Sequence, residues 1–91
     1  MIIEISKVTE PTVSITVQCD QMSILPEALC EPLLNALKVV TYFKDEEVMG
    51  YSLNELDCHI FLFDKDRKTI FCIKKEHKPY LIKALTKHLN L

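Results

Sequence analysis

A single glycine, Gly50, stands among the 91 residues. Neither GxGxxG nor GxxxxGKS can be written around it, so glycine-rich phosphate cradles are excluded, and collagen-like and linker-type chains with them. No apolar run approaches the roughly 20 residues that a membrane span requires, and no membrane partner is expected. A secretory leader is not expected either, because Met1-Ile2-Ile3-Glu4-Ile5 carries an acid where a basic region and a longer apolar stretch would stand. Also absent are C-x-x-C, the two-to-four-residue cysteine spacing and the three-to-five-residue histidine spacing of zinc sites.

What is present is a chain 48% hydrophobic and 26% charged, with a mean hydropathy of +0.10. That is too apolar for disorder and too evenly charged for a membrane protein. Residues 1–91 make one small domain. Cys19, Cys30, Cys58 and Cys72 are widely spaced in or beside apolar runs, where a thiol behaves as a small hydrophobe. They are expected as buried thiols in a reducing compartment, most simply the cytoplasm.

Val13, Ile15, Val17 and Cys19 alternate with Ser14, Thr16 and Gln18, a period of two with one buried and one wet face. With Ile3 and Ile5, and a turn at Thr9-Glu10-Pro11-Thr12, residues 2–19 read as an antiparallel hairpin. Leu25, Leu29, Leu33, Ala36, Leu37 and Val40 follow helical spacing. Pro32 places the true helix start near Glu31, after a turn at 24–29. Residues 39–53 suggest a second hairpin, with Val39–Phe43 as its outgoing and Val48–Leu53 as its returning strand. Cys58–Phe63 and Thr69–Ile73 flank the charged tip Asp64–Lys68 and are apolar at consecutive positions, so both faces call for cover. Pro79 opens a last helix whose stripe is Leu81, Ile82, Leu85 and Leu89. The expected architecture is α+β: an antiparallel sheet of four to six strands with two helices in a two-layer sandwich, in the order β-β-α-(β-β)-β-β-α. No internal repeat is evident, and no family motif can be matched residue by residue.

Reactive constellations are weak. Cys58, His59, Cys72 and His77 approach one another if the last hairpin turns near Asp66, which would set residue 59 opposite 72. Zinc needs a tetrahedron of such ligands, however, and adjacent Cys58 and His59 point to opposite faces of a strand. Cys58 or Cys72 with His59 or His77 as base would need an accessible thiolate, whereas cysteines inside apolar strands are inert. Asp45, Glu46 and Glu47 form a solvated turn rather than a tuned acid–base pair. Neither catalysis, nor a metal, nor a cofactor is expected.

Charge is unevenly placed. Residues 1–64 carry eleven acids and three bases, while residues 65–91 carry eight bases against Asp66 and Glu76. Lysine outnumbers arginine seven to one among those bases, which suits solvation better than bidentate phosphate recognition. The candidate interaction surface is therefore the apolar hairpin with the cations around it: His59, Phe61, Phe63, Ile70, Lys65, Arg67, Lys68, Lys74, Lys75 and Lys78. The expected role is a non-catalytic interaction module (a regulatory subunit, an inhibitor or immunity-type protein, or an adaptor) that meets another protein or a second copy of itself. The runner-up is a nucleic-acid-associated protein using the basic segment 65–91.

Overall fold

The computed structural model describes residues 3–17 and 21–91, with positions 17, 21 and 22 described by their backbone. Gln18 and Cys19, expected at the end of the first alternating strand, lie outside the described residues, as does the side chain of Val17. The order is β1 (Ile3–Lys7), β2 (Thr12–Val17), β3 (Gln21–Pro26), a 3-10 turn (Glu27–Leu29) and α1 (Cys30–Val39). There follow β4 (Glu46–Val48), β5 (Tyr51–Leu56), β6 (His59–Phe63), β7 (Thr69–Lys74), a second 3-10 turn (Lys75–His77) and α2 (Lys78–Leu89). The strands form two antiparallel sheets, β1-β2-β3 and β4-β5-β6-β7.

The α+β class, the two helices and both outer hairpins agree with the sequence reading. Val13 and Ile15 are buried while Ser14 and Thr16 are partly exposed, as the period of two demands. Three details differ. The described residues form seven strands in two sheets, because Gln21–Pro26 is strand rather than the approach to a helix. Leu25 belongs to that strand and faces the core opposite Val13. In the middle hairpin the outgoing strand is Glu46–Val48; Val39 ends α1, and Phe43 is buried in the core. The hairpin turns at Met49-Gly50, both at positive φ, and the next at Asp57-Cys58, likewise both positive. Two-residue connections of this hand match the twist of the strands they join, which is why the lone glycine sits where it does. Pro32 is the third residue of α1, where its missing N–H has no helical acceptor to lose.

The third difference is an internal repeat. Adding 48 to a residue number carries β1 onto β5, β3 onto β7, the first 3-10 turn onto the second, and the start of α1 onto that of α2. The cross-strand rungs correspond: Lys7–Val13–Leu25 matches Glu55–Ile60–Ile73, and Ile5–Ile15–Ser23 matches Leu53–Leu62–Phe71. Backbone angles agree at the strand-to-turn junction, with φ/ψ of −65°/140° at Pro26 and −67°/142° at Lys74. Each 3-10 turn is pinned in the same way. The Glu27 N–H donates to the Pro11 carbonyl at 2.7 Å, and the Lys75 N–H to the Cys58 carbonyl at 2.8 Å.

The two units interlock. Leu33 and Leu37 of α1 and their counterparts Leu81 and Leu85 of α2 are wholly buried in one shared core, each contributing roughly 1.5–3 kcal/mol. The helices run antiparallel, the start of each meeting the end of the other. α2 also lies against β1 of the opposite unit, and β3 and β7 approach one another, with the Ser23 hydroxyl donating to the Ile70 carbonyl. β4 has no counterpart among the described residues of the first unit. It covers the outer edge of β5, held in line by the Glu55 N–H donating to the Phe43 carbonyl at 2.7 Å.

Candidate functional site

Strand alternation sorts the four-stranded sheet into two faces. Leu53, Ile60, Leu62, Phe71 and Ile73 point toward the helices and are buried. His59, Phe61, Phe63, Cys72 and Lys74 point the other way, and all but exposed Lys74 are partly exposed; Ile70, at the irregular step of the β6–β7 ladder, is partly exposed but packs against the core. Phe61 lies opposite Cys72 and His59 opposite Lys74, so residue 59 does not face 72 as the sequence suggested. Phe61 and Phe63 stack with ring centroids 5.7 Å apart. Leu56, across from His59, is 62% exposed, and Ile24 on the outward side of β3 is 56% exposed. Residues 39–57 do not fold over this face. They send Phe43 into the core and add β4 and β5 to the sheet's edge.

Of the ten residues singled out from the sequence, this face gathers His59, Phe61, Phe63 and Lys74, while Ile70 packs against the core. The other cations are dispersed. Lys65, Arg67 and Lys68 lie on the β6–β7 tip, where the Asp64 carboxylate accepts from the Asp66 and Lys68 N–H groups at 2.8 and 2.9 Å. Arg67 sits 3.5 Å from Asp45. Lys74 is at the opposite end of the strand, about 16 Å away at ~3.3 Å per residue. Lys75 pairs at 2.8 Å with Glu55, whose side chain is only 7% exposed. Lys78 donates to the Val40 carbonyl at 3.1 Å and lies over the Phe43 ring. Lys75 and Lys78 therefore serve the helix side of the sheet and do not join the face.

The expectation of buried thiols holds for Cys30 and fails for Cys58, which is exposed in its turn; Cys72 is intermediate. Exposed Cys58 and His59 line a cleft of about 530 Å³ with Lys74, Lys75 and Glu76.

A second locus was not foreseen. Glu27, in the 3-10 turn, Cys30, the first residue of α1, and His88, near the end of α2, bring their ligand atoms within 4.8 Å of one another. His88 Nε2 lies 2.8 and 3.0 Å from the two Glu27 oxygens, which can only accept, so Nε2 carries the proton. This hydrogen bond is the main reason the Glu27 carboxyl is held below its ordinary value; the Cys30 thiol also donates to it, and Lys7 adds a favourable charge. Burial, reinforced by the neighbouring carboxylate, pushes the Cys30 thiol up to about 12. The sequence signal was Glu27-x-x-Cys30 at the mouth of a helix. Its partner, 61 residues on from Glu27, is brought there only by the antiparallel helix crossing.

No known protein-family model, curated protein or solved structure matches the chain. Functional argument therefore rests on these two loci. The sheet face offers apolar contact bordered by imidazole and ammonium groups, and the cluster offers oxygen, sulfur and nitrogen donors at one point. Among the described residues, no helix is long and apolar enough to cross a membrane.

Proposed function

We propose that the chain is a non-catalytic protein-interaction module, acting as a regulatory subunit, an inhibitor or immunity-type protein, or an adaptor. Its contact surface is the outward face of the β4–β7 sheet, and the simplest occupant is a second copy. The observation that carries this reading is the row of Phe61, Phe63 and Cys72, apolar and part-exposed, on the side the helices do not occupy. An apolar centre with a polar border is the usual composition of such a contact, and Ser52, Asn54, His59 and Lys74 supply the border. Two like faces meeting about a two-fold axis bury the same residues on both sides. A cytoplasmic setting belongs to the same proposal, with the free thiols of Cys30 and Cys58 in its favour.

The nucleic-acid reading has less behind it. Three of the eight cations in 65–91 are engaged with Asp45, Glu55 and the Val40 carbonyl. The remainder are spread over the tip, the far strand end and α2, and so form no single phosphate-tracking stripe.

Light scattering across a concentration series, at low and high salt, tests the proposal. A dimer that persists in high salt, and dissociates on Phe61→Ser with Phe63→Ser while the melting temperature is kept, is the expected result. A strict monomer under all conditions would overturn it. So would an assembly that the two substitutions leave intact.

A further inference from the structure

We propose that Glu27, Cys30 and His88 form a binding site for a divalent transition-metal ion, zinc by its donor set. Three residue types that zinc favours converge from three elements, the first 3-10 turn, α1 and α2. Their ligand atoms lie within 4.8 Å of one another, and side-chain adjustment of about 1 Å would bring them to the roughly 3.3–3.8 Å separations of a tetrahedral ion with bonds of about 2.0–2.3 Å. The His88 side chain is only 9% exposed and Cys30 is wholly buried, while the Glu27 side chain is 35% exposed. The cluster is thus closed on two sides and open on one. His88 also lines a cavity of about 350 Å³ with Ile3, Ile5, Ala84 and Lys87, which Glu27 and Cys30 do not border; the open side of the cluster is that of the part-exposed Glu27 carboxylate. Three protein ligands with one open position is an established zinc pattern.

The repeat supplies an independent reason to look here. Counting on by 48, the positions of Glu27 and Cys30 become Lys75 and Lys78, and counting back from His88 reaches Val40. At that equivalent crossing the fold is served by one ammonium group, Lys78 Nζ, donating to the Val40 carbonyl. Helix packing of this geometry therefore does not require a carboxylate, a thiol and an imidazole together. The second unit places its own cation at its crossing, whereas at the other crossing Glu27 and Cys30 of the first unit converge with His88 of the second. A bound ion would displace the proton of the thiol, and Nε2 would give up its own proton, to Nδ1 by change of tautomer or to solvent, so that the Glu27–His88 hydrogen bond is exchanged for two bonds to metal. It would tie the start of α1 to the end of α2.

The experiment is titration of the chelator-stripped, desalted full-length protein with Zn²⁺ by calorimetry, with Co²⁺ as a spectroscopic probe. One ion per chain is expected, with tetrahedral d–d bands, a thiolate-to-cobalt charge-transfer band and a raised melting temperature, since a ligand of the folded state stabilises it. Cys30→Ser should abolish the charge-transfer band. His88→Ala should weaken zinc binding by at least the roughly 10–100-fold that a mere second-shell partner costs. Glu27→Gln, nearly isosteric and still able to accept from His88, guards against variants that fail to fold. Cys58→Ser should bind as the parent does. Absence of stoichiometric binding to the folded parent overturns the proposal. So does binding that survives both Cys30→Ser and His88→Ala, or that Cys58→Ser removes, because the ion would then sit at the exposed turn.

Discussion

Where the end of α2 crosses the start of α1, Glu27 and Cys30 of the first repeat unit meet His88 of the second; at the matching crossing the second unit sets Lys75 and Lys78, and Lys78 donates to the carbonyl of Val40 in the first. The rungs, the 3-10 turns and the buried leucines around these points are the same. Charge is the part that has been exchanged. Lys7 and Glu27 in the first unit stand where Glu55 and Lys75 stand in the second, with signs reversed. Apolar burial thus defines the unit, since it must be satisfied alike in both copies, while the polar residues at its junctions are left to differ.

The largest effects should come from the shared core, and they should be equal. Leu37→Ala and its counterpart Leu85→Ala, both wholly buried, should each cost about 2–5 kcal/mol in urea unfolding. Their transitions should remain single, because the helices cover strands of the opposite unit and neither half has a core of its own. A near-neutral result at one position, or two separate transitions, would break the equivalence of the units.

That equivalence was nearly invisible in the sequence. Leu33-Leu34-Asn35-Ala36-Leu37 and Leu81-Ile82-Lys83-Ala84-Leu85 are its clearest trace, and both were read as the apolar stripe any docked helix shows. β3 was missed because Ser23, Ile24 and Leu25 show little alternation on their own and Leu25 happens to fall on helical spacing from Leu29. Its identity as a strand is fixed by the ladder to β2, which is non-local information. The β6–β7 hairpin and α2 were legible because their patterns are long and flanked by a charged tip and a proline. Of the face, Phe61 and Phe63 could be placed by alternation alone, whereas Ile70, set at the irregular step of the ladder, packs against the core. The burial of Glu55 could not, because it depends on a lysine twenty residues away. Nor could the meeting of Cys30 with His88, which requires knowing that the two helices run antiparallel.

A middle-sized effect tests the exchanged charges. Lys75→Ala leaves Glu55 with its side chain 7% exposed and one oxygen already without a partner, and stranding a buried carboxylate is costly. Lys7, 66% exposed and 3.8 Å from Glu10, should change stability by no more than about 0.5 kcal/mol when replaced by Ala. Glu55→Gln in the Lys75→Ala background should recover part of the loss. The hydrogen bond to Glu55, then its charge, holds the Lys75 ammonium above its ordinary 10.5. A raised value of this kind contributes stability fully present below pH 10.5 and lost as the pH climbs through the folded value. The difference between parent and Lys75→Ala should therefore be flat through neutrality and shrink only in strong alkali. Equal losses at Lys7 and Lys75 would mean that burial does not separate the two pairs.

The smallest effect concerns Asp45, which precedes β4 and so belongs to the part of the second unit that has no counterpart among the described residues of the first. Its carboxylate accepts from the Asn54 amide at 2.9 Å and the Ser52 hydroxyl at 3.3 Å, with Arg67 at 3.5 Å. The Asn54 bond first, then Arg67, keeps it below the ordinary 3.8. A depressed carboxyl contributes stability that is present above pH 3.8 and lost as the pH falls through the folded value. Asp45→Asn is the suitable variant, because Asp45 has a φ of 56° and asparagine tolerates that conformation. The site is exposed, so the loss should be slight at neutral pH, constant down to about pH 4, and narrower below it. Chemical denaturation at a series of pH values would read it. A gap that widens in acid would show that the asparagine disturbs the β4 segment itself, and that the charge of Asp45 does nothing to hold that added strand against β5.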